Sequence, residues 1–108
     1  MPESGSAAAA APAFTLDVRG TDLRPRGDLV FATAREALAR LLAVLPASHD
    51  SLAVDLSGIR RGDSAGLAAL VEWRAEALRR GVHLRFTGAG DDLHALARLA
   101  DLDAELFA

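Results

Sequence analysis

Segments with the two-residue period of a β-strand take turns along this chain with segments of the 3.6-residue period of an α-helix. No other feature restricts the fold as much. Phe14-Thr15-Leu16-Asp17-Val18 alternates apolar and polar residues, as a strand with one buried face does. Gly20, Thr21 and Asp22 supply a turn, and residues 23–29 give a partner strand interrupted by Pro25 and Gly27. The period then changes. Ala34, Leu38, Leu41, Leu42 and Leu45 recur at helical spacing, with Arg35, Glu36 and Arg40 on the other face and Pro46 as the stop. Thr33, with Glu36 three residues later, has the spacing of a capping box and is expected to start this helix.

Leu52-Ala53-Val54-Asp55-Leu56 is short and mostly apolar, like a central strand, and residues 57–63 read as a polar loop. Ser64 opens a second helix whose core stripe is expected to be Leu67, Leu70, Val71 and Leu78. Gly81 closes it after Arg79 and Arg80, which suit the negative end of the helix dipole. Val82-His83-Leu84-Arg85-Phe86 alternates again, Gly88 and Gly90 form a turn, and Asp91 and Asp92 start a third helix. Leu93, Leu96, Leu99 and Ala100 supply its apolar face, with room for a short final strand near Leu106. The order β-β-α-β-α-β-α is that of an α/β fold: a mixed sheet with crossover helices in one compact domain. Residues 1–12, MPESGSAAAAAP, lack the basic start and bulky apolar stretch of a secretory signal. They are expected to be a disordered tail, which leaves 13–108 as the domain.

What the chain lacks narrows its chemistry. It has no Cys, Lys, Asn, Gln or Tyr, and all 12 of its cations are arginines. Disulfides, zinc–thiolate sites, P-loop lysines and Schiff-base lysines are therefore excluded. A formal charge of −3 argues against a nucleic-acid binder with a broad basic face. No apolar run approaches the roughly 20 residues that cross a bilayer. His49, His83 and His94 lack the spacing of a zinc helix, and no G-x-S-x-G elbow surrounds Ser64. No catalytic residue, metal ligand or cofactor is expected, and the chain reads as a binding protein.

The stretch VDLSGIRRGDSAGLAAL, within residues 52–70, carries the one signature. Its strand ends in Asp55-Leu56-Ser57, its helix opens with Asp63-Ser64-Ala65-Gly66-Leu67, and Gly81 precedes the next strand. Gly27-Asp28-Leu29 with Thr33-Ala34, and the last helix over 91–99 followed by Leu102, complete the pattern. Together they resemble the STAS domain family, over roughly residues 14–107. Two branches of that family bear on function. In anti-sigma factor antagonists the Ser after the Asp is phosphorylated by a partner kinase; in Mla-type phospholipid transporters a small MlaB-like STAS subunit holds the cytoplasmic ATPase. Val30-Phe31 stands where antagonists usually carry an Asp and polar residues, which brings this chain nearer the second branch. Gly62 departs from both branches, which tend to be apolar there.

The resemblance implies a cytoplasmic adaptor, peripheral to the inner membrane through an ABC transporter complex and bound to its ATPase subunit. The runner-up is an anti-sigma factor antagonist switched by phosphorylation of Ser64; a third reading is a free-standing STAS domain that binds a nucleotide or lipid. The expected partner-binding residues are Asp63, Ser64, Gly66, Ala69 and Trp73. Each has a plainer reading. Ser64 can simply cap its helix, and Asp63 can hydrogen-bond its own loop. Trp73 lies off the assigned core stripe, on a side shared with the small residues Gly66, Ala69 and Ala77. There it either anchors a partner or covers the edge of its own core. Arg74 falls near the stripe, its stem packed and its head in water. Arg60 and Arg61 read as solvated loop arginines.

Overall fold

The structure, a computed structural model, describes residues 11–46 and 50–107. The tail expected over 1–12 falls, apart from Ala11 and Pro12, outside the described residues, as does His49. The elements run β1 (Phe14–Arg19), β2 (Asp22–Leu29), α1 (Phe31–Ala43), β3 (Ser51–Asp55), β4 (Gly58–Gly62), α2 (Ser64–Arg79), β5 (His83–Thr87), α3 (Asp91–Leu99) and α4 (Asp103–Phe107). The α/β class, the mixed sheet and the crossover helices are as the periodicity predicts.

The sheet order is β1-β2-β3-β5, with β1 antiparallel to β2 and the other pairings parallel. β2 is eight residues long and outruns β3, which meets it only at Asp22↔Ala53 and Leu23↔Val54. The rest of its edge is taken by β4, from Arg26↔Gly58 to Leu29↔Gly62, across an irregularity at Gly27/Asp28. The polar loop expected over 57–63 is thus largely a strand. Its arginines hid it: Arg60 and Arg61 are not merely solvated but reach the buried carboxylate of Asp28, at 3.2 and 3.4 Å. Burial pushes the Asp28 pKa up. The N–H of Ala13, the Arg61 hydrogen bond and the charges of both arginines outweigh that and hold it below its ordinary value.

One face of the sheet is apolar: Phe14, Leu23, Leu29, Leu52, Val54, Leu84 and Phe86 point into the core beneath the helices. The other face is open and polar, which the strict alternation along β5 and most of β2 required. Two cross-strand ion pairs lie on it, Arg24 to Asp55 at 3.1 Å and Arg26 to Asp17, on the diagonal of the β1–β2 ladder, at 3.0 Å.

The helix ends bring three corrections. α1 begins two residues before Thr33, with Val30 at the N-cap; Thr33 is the third helical residue. Its hydroxyl accepts from the Val30 N–H at 3.0 Å and donates to the Asp28 carbonyl at 2.7 Å. The cap of α2 is Asp63, not Ser64. No strand forms at Leu106; that residue is buried on the short helix α4. α4 is held by the His94–Asp103 contact at 2.6 Å and by Phe107, edge-on to Phe86 at 6.1 Å between ring centroids.

Candidate docking face on the second helix

Helix α2 is apolar on two sides at once. Its inner side carries Gly66, Leu70, Trp73 and Ala77, all buried, and its outer side carries Ala68, Val71, Ala75 and Leu78 after Ser64. Both runs have the i, i+3/i+4 spacing of a single helical face. Glu72, Glu76 and Arg79 make the side between them polar, and the outer run is covered only in part: Val71 and Ala75 are half-buried beside α3, while Ala68 and Leu78 are exposed. Sequence reading merged the two runs, and its stripe of Leu67, Leu70, Val71 and Leu78 straddles them. Leu78 is 47 % exposed, whereas Trp73 is fully buried.

The consequence for the expected partner-binding set is direct. Trp73, Gly66 and Ala69 are buried, so the expectation of an exposed Trp beside a small-residue strip is corrected. Trp73 packs edge-on against Phe86, ring centroids 5.9 Å apart. Its indole Nε1–H is the one buried side-chain polar atom without a hydrogen-bond partner among the described residues. Gly66 is small because α2 crosses the end of β2 there. A Cβ on it would fall well inside contact with the Leu29 carbonyl oxygen. Gly62, the departure from the family pattern, has a similar cause: a Cβ there would meet the Leu93 side chain at 2.5 Å. Arg74 behaves as expected, half-buried and 3.6 Å from Glu105.

Ser64 and Asp63 stay at the surface corner. Asp63 Oδ1 accepts from the Gly66 N–H at 3.0 Å, which caps α2, and Oδ2 accepts from the Phe31 N–H at 3.0 Å at the start of α1. Burial raises the Asp63 pKa, but the N–H bonds from Gly66, Phe31 and Ala65 outweigh it and leave the carboxyl below its ordinary value. With Asp63 as cap, Ser64 is the first helical residue. It is exposed, and its hydroxyl has no hydrogen-bond partner among the described residues. Phe31 stands at the same corner and is 83 % exposed.

From Ser64 a shallow groove of about 720 Å³ runs between α2 and α3, floored and walled by Leu67, Val71, Ala75, Leu96, Leu99 and Leu102. Leu99, expected in the core, is instead 86 % exposed on the groove's rim. Phe31, Leu99 and the outer alanines of α2 were missed by sequence reading. The second helical run from Ser64 to Leu78 was the signal that could have found most of them. A second hollow, of about 490 Å³ on the open sheet face, is lined by Asp17, Arg19, Arg24, Arg26 and Asp55, whose charges largely pair with one another. Among the described residues no cluster of three or more metal-ligating side chains occurs, and no helix is long and apolar enough to cross a membrane.

A family model described as Mlab, STAS domain, matches residues 12–107. The chain belongs to the STAS domain family. Solved structures agree in fold. This STAS domain is similar to an anti-sigma factor antagonist from Thermotoga maritima described as putative (TM-score 0.70, 14 % identity, 88 % of this chain and 86 % of that one). It is also similar to an anti-sigma factor antagonist from Mycobacterium paratuberculosis (0.64, 20 %, covering 89 % and 83 %). A sulfate transporter family protein from Wolinella succinogenes matches with a TM-score of 0.61, at 23 % identity over 84 % of this chain and 80 % of that one. A search of curated protein sequences finds no match.

Proposed function

We propose that this STAS domain is a non-catalytic cytoplasmic adaptor. It binds the ATPase subunit of an Mla-type phospholipid ABC transporter at the inner membrane and supports that subunit's assembly or activity. The observation that carries the reading is the outer side of α2: an apolar run from Ala68 to Leu78 edged by Glu72, beside exposed Leu99, with exposed Phe31 at the corner where the helix starts, on a domain with a core of its own. Contiguous apolar surface of that kind marks a protein-docking site. The family description and Val30-Phe31 at the corner, where the antagonist branch is polar, support the transporter partner over the others. An adaptor acts by stabilising the partner conformation it prefers, to the extent of its differential affinity. The test is affinity purification of the native chain from its own cells with identification of what comes with it. A transporter ATPase supports the reading, and a serine kinase in its place rejects it.

One observation favours the second reading, an anti-sigma factor antagonist switched at Ser64. The hydroxyl is exposed and unengaged at the first turn of α2, where a phosphate would meet the positive end of the helix dipole.

A further inference from the structure

The groove between α2 and α3 is selective about what lies in it. α2 lines it from Ser64 to Ala75, about 16 Å at 1.5 Å per residue, and Leu96, Leu99 and Leu102 form the other wall. In the body of a helix the backbone N–H and C=O groups bond to one another, so between its ends the groove offers an occupant side chains only. Two of these are polar: Ser64 at one end and Glu72 on the α2 wall. Glu72 is exposed, and no hydrogen bond or ion pair reaches its carboxylate among the described residues. Other charges nearby are engaged or turned away. Asp92 accepts from the Gly62 N–H at 2.8 Å, Arg60 and Arg61 reach Asp28, and Arg79 and Arg80 share Glu76. Asp91 and Arg98 fall on the side of α3 away from Leu96. Asp101, between the lining residues Ala100 and Leu102, is exposed and adds negative charge. An occupant has to match an apolar floor with a free carboxylate at its edge.

Three classes of occupant fail on these observations. An extended segment would lay unpaired backbone groups on the apolar floor, whereas a helix bonds its own. An antiparallel pair of this chain's own α2 helices would bring two Glu72 carboxylates together, and a lipid would bring an anionic phosphate to the same group. We infer that the groove receives one amphipathic α-helix of a partner protein. It is about three turns long, with apolar side chains at i, i+3/i+4 and i+7 and an Arg or Lys facing Glu72. The small side chains Ala68, Ala75 and Ala100 leave room for its apolar residues. An exposed ion pair adds little affinity; the effect of Glu72 is to reject acidic helices and fix the register. The inference rests on the proposed function for the partner's identity alone, and adds which kind of segment of the ATPase docks.

The test is photo-crosslinking in the native cells, with Leu99 on the groove's rim replaced by p-benzoylphenylalanine and the joined peptides identified by mass spectrometry. The expected product is one helical segment of the ATPase with that apolar spacing and a cation beside it. Glu72→Arg, at an exposed helical position, keeps the wild-type melt and lowers the yield about tenfold. Glu72→Gln keeps the shape and lowers the yield a few-fold, and it serves if the first variant misfolds. Reversing the identified cation in the partner recovers most of the yield with Glu72→Arg, as a direct charge pair demands. A crosslink to an extended or loop segment, to a lipid or to a second copy overturns the inference, as does a yield indifferent to Glu72. So does the absence of any crosslink. The proposed function fails separately. An ATPase that co-purifies without crosslinking at Leu99 rejects the groove helix alone, and a matching helix from another protein keeps the groove helix and rejects the ATPase.

Discussion

The carboxylate of Asp63 accepts a hydrogen bond from the backbone N–H of Phe31, 3.0 Å away and 32 residues earlier in the chain. Its other oxygen caps α2 through Gly66, so one side chain closes the N-termini of both helices that flank the exposed corner. Together with the Asp63 N–H bond to the Leu29 carbonyl at 3.3 Å, that carboxylate holds Ser64 and Phe31 at one corner.

Asp63→Ala therefore removes two backbone acceptors. The expected loss is about 2 kcal/mol, above the usual ~1 kcal/mol for a single cap, read as a lower urea midpoint with unchanged slope. Asp63→Asn keeps one oxygen acceptor and should lose about half as much. Equal losses for the two variants would contradict the double role.

Acid should act through the same residue. Asp63 and Asp28 both have folded-state pKa values below the ordinary 3.8, so each contributes stability that is complete well above that value. The contribution is lost as pH falls through the depressed folded values. Chemical stability should be flat near neutrality and decline below about pH 4. Asp63→Asn should flatten part of that decline; a decline of the same size in the variant would assign the effect elsewhere.

Trp73 is a core residue, and its variants should report on folding. Trp73→Ala is expected to cost about 3–5 kcal/mol, so any loss of binding in that variant reflects unfolding. Trp73→Phe removes the unpartnered indole N–H along with part of the ring, and the two effects oppose each other. Its cost should be markedly smaller, by thermal melt and urea titration alike. A Trp73→Ala variant that melts with wild type would return the residue to the surface.

Ser64 should not be stoichiometrically phosphorylated in its native cells. Val30-Phe31 puts an exposed aromatic ring where the antagonist branch carries polar residues. A substantial phosphopeptide spanning Asp63-Ser64-Ala65 in mass spectrometry would promote the switch reading over the adaptor.

The fold was legible because its strands alternate cleanly and its helices are bounded by Pro46, Gly81 and the acidic pair Asp91-Asp92. Where sequence reading failed, two signals overlapped. β4 carries two arginines whose partner, Asp28, lies 32 and 33 residues away on another strand, so composition made it a loop. On α2 two apolar runs interleave, and a single-stripe reading had to choose wrongly for some positions. Leu78 went to the core, the reverse of its place, and Trp73, which is fully buried, was left between partner anchor and core edge. Ser64 was a fair cap by residue type, but Asp63 precedes it and its carboxylate has two oxygens to offer. The corner itself was legible, and the apolar face running away from it was not.

The central claim is that the outer side of α2 docks the transporter ATPase. It is tested most directly by capturing that ATPase on immobilised wild-type, Ser64→Arg and Ala68→Arg chains, with a thermal melt of each. The account predicts melts within a few degrees of wild type, with the cap at Asp63 intact, and capture reduced at least tenfold in both variants, because an unpaired charge would be buried at the interface. Wild-type capture by both folded variants would place the docking surface elsewhere on the domain.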